Sequence, residues 1–329
     1  MPFLCYNNPI VRRYGLSRER VQKRKGGGLW EIMAVYLIGN YLHEARRRRK
    51  LTQEELTDGI CSPGTLSRIE RHSQAPSLGT CKALMERLGE ATHHIYLLTD
   101  AKEMHCYQKS RKILRLLANN QTKKAQQLYQ RSLYQVEHKN VSDEQLAIYI
   151  ETICDIRAGK EPGQAYQTLR LALQMTMPGW EVQDYETSHF LTSQEMLLLN
   201  GIAVQKRKQG RVKEASEILD SLRSYIEQHL CDEEEKFCWY PVILCNIAVG
   251  LNASMQHEEA CKLCKSAIKS CIDGGKLLPL PYLLHQKAHA LHALGRTKEA
   301  DIIRMQEETL RQILQYEKSQ LAEEILIAI

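Results

Sequence analysis

A face of hydroxyl and guanidinium side chains lies between residues 62 and 71 of this 329-residue chain. At helical spacing, Leu66 and Ile69 point inward together. The side chains left on the outer face are Thr65, Ser67, Arg68 and Arg71. Hydroxyls donate and accept hydrogen bonds, and guanidinium groups offer paired donors, so this face is suited to bases and phosphates. We expect it to bind DNA; binding of a protein surface is the alternative.

Two short predicted helices position this face. Thr52 and Glu55 have the spacing of a capping box, which begins the first helix. Gly59 suits the turn that follows, because glycine tolerates positive φ. Ser62 is a second N-cap, and Pro63 behind it favours the first position of the next helix. The pattern therefore predicts a helix, a tight turn and a second helix that presents the polar face.

The surrounding head is predicted to span residues 33–98 as a bundle of about five short helices. Ile38, Leu42 and Ala45 give its first helix one apolar face. Pro76-Ser77 has the pattern that starts a helix after the polar face.

Basic residues are concentrated toward the N-terminus. Residues 1–32 carry seven Lys/Arg and two Asp/Glu, and residues 33–95 carry nine and seven. Because the net charge of the whole chain is +6, the remaining residues are nearly neutral. This asymmetry is typical of a DNA-binding head on a neutral body.

The N-terminal leader, residues 1–32, has little hydrophobic periodicity. The triplet Gly26-Gly27-Gly28 lies four residues before its end. Met33 directly precedes the first convincing helical pattern. We therefore interpret the leader as a disordered tail or as an extension upstream of the natural start. A basic arm that reaches the minor groove of DNA is the alternative.

Helix pairs recur over residues 103–329. Small residues recur in the second helices, at Ala125, Ala165, Ala215, Ala260 and Ala300. Twelve residues before them lie Ile113, Ile153, Ala203, Ala248 and Ala288. Five residues before them lie the expected turns, at Asn120, Lys160, Gly210, Met255 and Gly295. This pattern resembles the tetratricopeptide repeat, most clearly in NGIAVQKRKQGRVKEASEILDSL, and such units stack into a superhelix with a concave face.

The head resembles the lambda-repressor or Xre type of helix-turn-helix through LTQEEL, TLSRIER and the later PS. Its turn, which reads GIC, is one residue shorter than the commonest form. A GIC turn followed by tetratricopeptide-like helices resembles the RRNPP group of peptide-sensing regulators of Gram-positive bacteria. The resemblance is specific over about 50 residues of the head and rests on architecture elsewhere.

This resemblance implies roles by position. Gln53 would contact a phosphate, and the helix beginning at Pro63 would enter the major groove. The residues facing bases or backbone would be Ser62, Thr65, Ser67, Arg68 and Arg71. Arg68 is the best candidate for a bidentate contact with guanine. Glu70 is expected to pair with an arginine of the first helix, and one or two residues of the basic run 46–50 to touch phosphate.

The repeat pattern also predicts which residues face the groove. The predicted peptide-binding residues are Arg157, Asn200, Val204, Arg207, Cys245, Asn252, Tyr282, His285 and His289. Asn200 and Asn252 are the leading candidates, because an amide can both donate to and accept from a peptide backbone. Arg157 and Arg207 could hold a peptide carboxylate. Ordinary polar lining of a wet groove is the alternative for each.

Two patterns resemble metal sites. His285, His289 and His292 share one helical face, and Cys261 and Cys264 are separated by two residues. The histidines lack a carboxylate in the local sequence, and the cysteine pair lacks a matching second pair. We therefore predict no metal and no cofactor. The sequence also lacks a Walker loop, a dinucleotide fingerprint, a nucleophile elbow and a HExxH motif, so we expect no enzyme.

Composition excludes other classes of protein. Only 9 Pro and 18 Gly occur and helix formers dominate, which predicts an all-α fold. The 11 Cys are odd in number and lack the spacing of a disulfide framework, so we expect reduced thiols in the cytoplasm. No apolar run reaches the roughly 20 residues of a membrane span, so no membrane partner is expected.

These observations predict an N-terminal five-helix, lambda-repressor-like head followed by a tetratricopeptide-like α-solenoid that senses a ligand and supplies dimer contacts. The leading hypothesis is a homodimeric transcriptional regulator that binds double-stranded DNA and responds to a short signalling peptide of the quorum-sensing type. The alternatives are a repeat domain that binds a partner protein, an interaction scaffold with a vestigial head, and a metal sensor.

Overall fold

The computed structural model describes residues 29–90, 101–132, 141–159, 161–180, 190–229 and 233–314. The regular elements within these ranges are helices, which confirms the predicted all-α class. Those of the head are α1 (Leu29–Arg48), α2 (Gln53–Thr57), α3 (Pro63–Glu70) and α4 (Leu78–Arg87). The fifth predicted helix of the head falls at residues 91–98, outside the described residues.

The first helix begins before the predicted boundary of the head. Helix α1 starts at Leu29, so four residues of the predicted leader, 29–32, are helical. These residues follow the glycine triplet, and Leu29 to Ile32 contain no glycine or proline that would oppose a helix. The rest of the leader lies outside the described residues.

Local capping positions the short helices as predicted. Thr52 Oγ1 accepts the backbone N–H of Glu55 at 3.1 Å, and Glu55 Oε2 accepts that of Thr52 at 2.6 Å. Gly59 has a φ of 65° in the turn. Ser62 Oγ accepts the backbone N–H of Thr65 at 3.1 Å and so caps α3. Both caps and the glycine turn are confirmed.

One apolar core holds the head together. Its fully buried members, at 0% exposure, are Leu42, Ala45, Leu56, Leu66, Ile69, Leu84 and Leu88. They come from all four described helices of the head and from the residue after α4. The inward face of α3, which was predicted from spacing, therefore packs on α1, α2 and α4, and its opposite face remains accessible.

Ten further helices form antiparallel pairs along the solenoid in the described residues. Their bounds are α5 (Ala101–Ala118), α6 (Thr122–Ser132), α7 (Val141–Arg157), α8 (Pro162–Gln174), α9 (Ser193–Lys208), α10 (Val212–His229), α11 (Glu233–Ala253), α12 (His257–Asp273), α13 (Leu280–Ala293) and α14 (Thr297–Ile313). None of the helices in the described ranges is long and apolar enough to cross a membrane.

The repeat positions behave as predicted. The five alanines of the second helices, Ala125, Ala165, Ala215, Ala260 and Ala300, are at most 5% exposed. Their partners in the first helices, Ile113, Ile153, Ala203, Ala248 and Ala288, are at most 2% exposed. The small alanine side chain in each second helix lets the two helices of a pair approach closely. The predicted helix–turn–helix repeat is confirmed.

One hydrogen bond connects an early helix of the solenoid with a late one. Tyr282, near the start of α13, donates its hydroxyl hydrogen to the carbonyl oxygen of Ala118 at 2.8 Å. Ala118 ends α5, the first helix of the solenoid. The bond therefore joins residues 164 positions apart in the sequence.

Met255 lies at a turn where glycine is the better residue. Its φ is +62° and its side chain is 77% exposed, so it takes a left-handed conformation without packing in return. We expect Met255→Gly to raise the free energy of unfolding by about 1 kcal/mol, because glycine avoids the left-handed strain. Denaturant unfolding measures this difference.

Asn120→Gly is the matched control for this prediction. Asn120 has a φ of +61° at the equivalent turn, and asparagine tolerates this conformation better than methionine. Its gain should be smaller. A Met255→Gly protein no more stable than the wild type would contradict the strain argument.

Candidate DNA interface and ligand groove

Arg68 is exposed on α3, and part of its guanidinium already forms hydrogen bonds within the head. Nε donates to Gln74 Oε1 at 2.8 Å, and Nη2 donates to Thr65 Oγ1 at 3.2 Å. Nη1 and the second hydrogen of Nη2 remain for an incoming partner, as far as the described residues show. These are the paired donors that a bidentate contact with guanine requires.

The other predicted DNA-contacting residues occupy the same outer side of α3 or its neighbour α2. Ser62 and Arg71 are exposed, whereas Thr65, Ser67 and Gln53 are half-buried. The hydroxyls of Ser62 and Thr65 lie 2.9 Å apart. Arg71 Nε donates to the carbonyl oxygen of Ser67 at 3.1 Å. Their contact with DNA stays a prediction.

Glu70 organises the polar contacts behind this face. Its carboxylate accepts from Arg46 Nε at 2.7 Å and from Arg46 Nη2 at 2.9 Å, and it lies 3.1 Å from His43 Nδ1. Burial alone would raise the pKa of Glu70, but the hydrogen bonds from Arg46, His43 and Gln53 hold it below its usual value. The expected pairing of Glu70 with an arginine of the first helix is confirmed.

The same carboxylate engages Gln53. Gln53 Nε2 donates to Glu70 Oε2 at 2.7 Å. An amide nitrogen carries two hydrogens, so one N–H of Gln53 remains for a phosphate oxygen. The bond to Glu70 fixes the orientation of the amide at the start of α2.

The basic run at the end of α1 divides into engaged and solvent-facing members. Arg48 Nη2 lies 3.0 Å from a carboxylate oxygen of Glu90, and the guanidinium carbon of Arg49 lies 4.6 Å from the ring centroid of Phe190. Arg47 and Lys50 are exposed and form no ion pair within the described residues. These two are the members best placed for phosphate.

A buried ion pair joins the head to the solenoid. Arg87, at the end of α4, donates through Nη2 to Glu195 Oε1 at 2.7 Å, and their side chains are 2% and 0% exposed. The other carboxylate oxygen of Glu195 accepts the backbone N–H of Thr192 at 2.7 Å in a capping box at the start of α9. The carboxylate therefore fixes both the arginine of the head and the first turn of α9.

A second carboxylate of the head meets the same helix end. Glu86 Oε2 accepts the backbone N–H of Ser193 at 2.9 Å, and Glu86 Oε1 accepts from the Ser193 hydroxyl. Lys82 Nζ lies 3.4 Å from Glu86 Oε1. The positive end of the α9 dipole favours a carboxylate at this place. The two charges of the head thus bind one helix terminus in the solenoid.

Gly59 shows how tightly the two parts approach each other. A Cβ added at Gly59 would lie 2.4 Å from Thr176 Cα, in the segment after α8. Gly59→Ala must therefore strain the turn and also displace the solenoid. We expect its free energy of unfolding to fall by about 1 kcal/mol more than that of Gly210→Ala.

Gly210→Ala separates the two causes, because Gly210 has a φ of +79° but open space around its Cα. If urea unfolding gives the two variants equal losses in the free energy of unfolding, the close contact with Thr176 does not contribute to the effect of Gly59→Ala.

The predicted groove residues fall into three sets by burial. Asn200, Val204 and Cys245 are 0% exposed, and Asn252 and Tyr282 are 5% exposed. Arg157, Arg207 and His285 are half-buried, and His289 is exposed.

Asn200 lies between neighbouring first helices of the solenoid. Its side-chain oxygen accepts from Asn246 Nδ2 at 2.7 Å. Asn246 stands on α11, so the pair connects α9 to α11. Asn246 is itself fully buried, so this bond is part of the packing between the two helices. A ligand contact with Asn200 would have to form beside this bond or replace it.

Asn252 joins three helices. Its Nδ2 donates to both the carbonyl and the side-chain oxygen of Gln286 at 3.0 Å, and its Oδ1 lies 3.1 Å from His257 Nδ1. These contacts use both amide hydrogens and connect α11 to α12 and α13. Asn252 therefore holds adjacent repeats together in this conformation, and a peptide would have to exchange these bonds.

The structure brings Arg157 and Tyr282 close together although they are 125 residues apart. The two side chains interact electrostatically. Arg157 Nη1 also donates to Thr122 Oγ1 at 3.2 Å. These residues come from α7, α13 and α6, so three helices meet at this place, although α13 is distant in sequence from the other two.

The histidines make separate contacts. His285 Nδ1 lies 3.2 Å from Glu307 Oε2, and the rings of His257 and His289 are 5.9 Å apart. Within the described residues, no group of three or more His, Cys, Asp or Glu could hold a metal ion.

The contact residues between head and solenoid, above all Arg87 and Glu195, were not predicted from the sequence. A charged pair in the segment ALMERL reads as an ordinary solvated helix end. The available signal was that Glu86 and Arg87 interrupt an otherwise apolar stretch, which requires a polar partner if the stretch is buried.

Comparison with known proteins agrees with this geometry. The helix-turn-helix family model HTH_3 matches residues 42–93. Bacillus thuringiensis PlcR, crystallised with the peptide PapR7 and DNA, superposes with a TM-score of 0.57 at 18% identity, over 85% of this chain and 95% of PlcR. Its apo form gives 0.51 at 17% identity with the same coverage.

A third structure, ComR from S. thermophilus in complex with DNA and its signalling peptide ComS, gives a TM-score of 0.43 at 14% identity. It covers 87% of this chain and 96% of that one. No curated protein matches the chain in sequence. Residues 42–93 thus match a helix-turn-helix family model, and the fold of the chain is similar to that of PlcR.

Proposed function

We propose that this protein is a homodimeric transcriptional regulator that binds a specific DNA sequence, and that a short signalling peptide in the groove of the solenoid controls its affinity for DNA. The polar face of α3 supports the first part. Arg68 offers two unused donors to a base edge, and the solvent-facing Arg47 and Lys50 offer charge to phosphates.

Helix α9 is the observation that carries the allosteric part of the proposal. Its first turn binds the head through Ser193 and Glu195. Its later turns carry Asn200, Val204 and Arg207, which were predicted to face the groove. A ligand that shifts α9 therefore acts on the contacts that orient the head.

Such control requires a ligand that binds one arrangement of the protein better than another. A coupling free energy of about 1–3 kcal/mol would change DNA affinity about 5- to 150-fold. The interface with α9 is polar and helix-terminal, so a small displacement breaks directional bonds instead of only loosening apolar packing.

Homodimerisation follows from the way such heads bind DNA. A single α3 contacts only a few base pairs, and two-fold symmetric heads read two half-sites about one helical turn apart. The PlcR complex contains both a peptide and DNA, which supports a ligand and DNA acting on the same fold.

The test of DNA recognition is a titration of fluorescent DNA from the intergenic regions beside the protein's own gene, at two salt concentrations. We expect one fragment to bind about 1,000-fold or more tightly than a shuffled fragment, with a steep loss of affinity at higher salt. Equal affinity for both fragments would contradict sequence-specific regulation and favour an interaction scaffold.

A further inference from the structure

The guanidinium of Arg157 has no counter-ion in the described part of the chain. It stands at the last residue of α7, half-buried, and donates to the hydroxyl of Thr122 at 3.2 Å. No aspartate or glutamate pairs with it there.

Three other buried cations in the described ranges do have counter-ions. Arg46, Arg87 and Lys206 have carboxylate partners at 2.7, 2.7 and 2.8 Å. A cation removed from water without a counter-ion is costly. The negative end of the α7 dipole offsets only part of that cost. In the described residues, the positive charge of Arg157 is therefore not balanced by a carboxylate.

The neighbours of Arg157 do not supply this charge. Burial lowers the pKa of Arg157, and the groups that oppose the shift are Tyr282, Tyr149 and Cys154. Burial raises the pKa of each of these three, so they are neutral near pH 7.

Tyr282 is held in place on both sides. Its hydroxyl donates to the carbonyl oxygen of Ala118 at 2.8 Å. On the other side of Tyr282, the guanidinium carbon of Arg311 lies 5.2 Å from the ring centroid. Arg311 already pairs with Glu307 at 2.8 Å, so of these two arginines Arg157 is the one without a carboxylate partner in the described residues.

We propose that Arg157, which lies beside Tyr282 and Thr122, is a subsite that binds a carboxylate of the ligand. The guanidinium forms two parallel hydrogen bonds to a carboxylate, which replaces the missing charge. This inference rests on the proposed function only in taking the ligand to be a peptide, whose carboxylate is either its C-terminus or an acidic side chain.

The first test needs no ligand. Removing an uncompensated buried charge should not weaken the empty protein, so Arg157→Met should unfold at the same temperature as the wild type or higher. Arg87→Met is the matched control. It orphans the buried Glu195 and should lower the unfolding temperature. A fall for Arg157→Met as large as for Arg87→Met would make Arg157 a structural residue and overturn the proposal.

The second test compares pools of short peptides made with free C-terminal carboxylates or with C-terminal amides. A third arm compares sodium acetate with sodium chloride at equal ionic strength. Each is assayed by thermal shift on wild type, Arg157→Met and Arg157→Lys. We expect the free-acid pool to bind wild type about tenfold more tightly than it binds Arg157→Met. Arg157→Lys should retain part of this preference, since lysine keeps the charge without the paired donors.

The outcomes separate this inference from the function on which it rests. A preference for free acids that Arg157→Met removes supports the C-terminal carboxylate. If Arg157→Met weakens binding of the amide pool as much as binding of the free-acid pool, the carboxylate is an acidic side chain of the peptide. If both pools fail and acetate protects only the wild type, the subsite stands and peptide sensing fails. If the pools and acetate act equally on wild type and Arg157→Met, the subsite is overturned even where peptides bind.

Discussion

Glu195→Gln is expected to lower the free energy of unfolding by about 3–5 kcal/mol, because it leaves the guanidinium of Arg87 buried without its counter-ion. Both side chains are almost fully buried between α4 and α9. Glutamine can still accept the backbone N–H of Thr192, so the capping box at the start of α9 survives the change. The measured loss is then that of the ion pair. Denaturant unfolding followed by circular dichroism gives the value.

The double variant Arg87→Met with Glu195→Gln controls for this result. It removes both charges, so it should recover most of the stability that Glu195→Gln loses. Glu217→Gln removes an exposed carboxylate whose oxygen lies 3.9 Å from Lys213 Nζ and should change little. A loss for Glu195→Gln no greater than for Glu217→Gln would show that the pair does not hold the head to the solenoid.

Arg68→Ala is expected to weaken binding to the preferred DNA fragment about 5- to 150-fold, or about 1–3 kcal/mol, and to relax its sequence preference. The reason is the loss of two directional donors to a base edge. The fold should be unaffected, because Arg68 is exposed and bonds only to Thr65 and Gln74 in the described residues. Competition titration against shuffled DNA measures affinity and specificity together.

Two other arginines separate base reading from charge. Arg47→Ala should weaken both fragments to the same extent and reduce the salt dependence, as loss of a phosphate contact does. Arg304→Ala removes an exposed arginine of α14 that pairs with Asp301 at 3.2 Å, and it should change neither affinity. If Arg68→Ala behaves like Arg47→Ala, Arg68 contacts phosphate and the assignment of base reading is wrong.

Features of the head that depend on near neighbours could be predicted from the sequence. The caps at Thr52 and Ser62 and the positive φ of Gly59 each depend on a few consecutive residues. Helical periodicity also identifies buried positions such as Leu66 and Ile69. The constant offset of twelve residues between the first-helix position and the alanine of each repeat extends the same logic to the pairing of the solenoid helices.

Features that depend on distant contacts could not be predicted. Arg87 and Glu195 are separated by 108 residues, and the contact of Tyr282 with Ala118 spans 164. Periodicity places a residue on a helix face but does not say which neighbouring helix covers it. For this reason Asn252 was predicted to meet a ligand, whereas its amide hydrogens are bound by Gln286 in this conformation.

Peptide control of DNA affinity through α9 is tested by measuring the DNA affinity of wild type and of Glu195→Gln. Each is measured with and without the peptide fraction of medium conditioned by the same organism. We expect this fraction to change the DNA affinity of the wild type about 5- to 150-fold and the DNA affinity of Glu195→Gln much less. Specific DNA binding that the fraction leaves unchanged in the wild type would contradict control by a peptide. An equal change in both proteins would contradict transmission through α9.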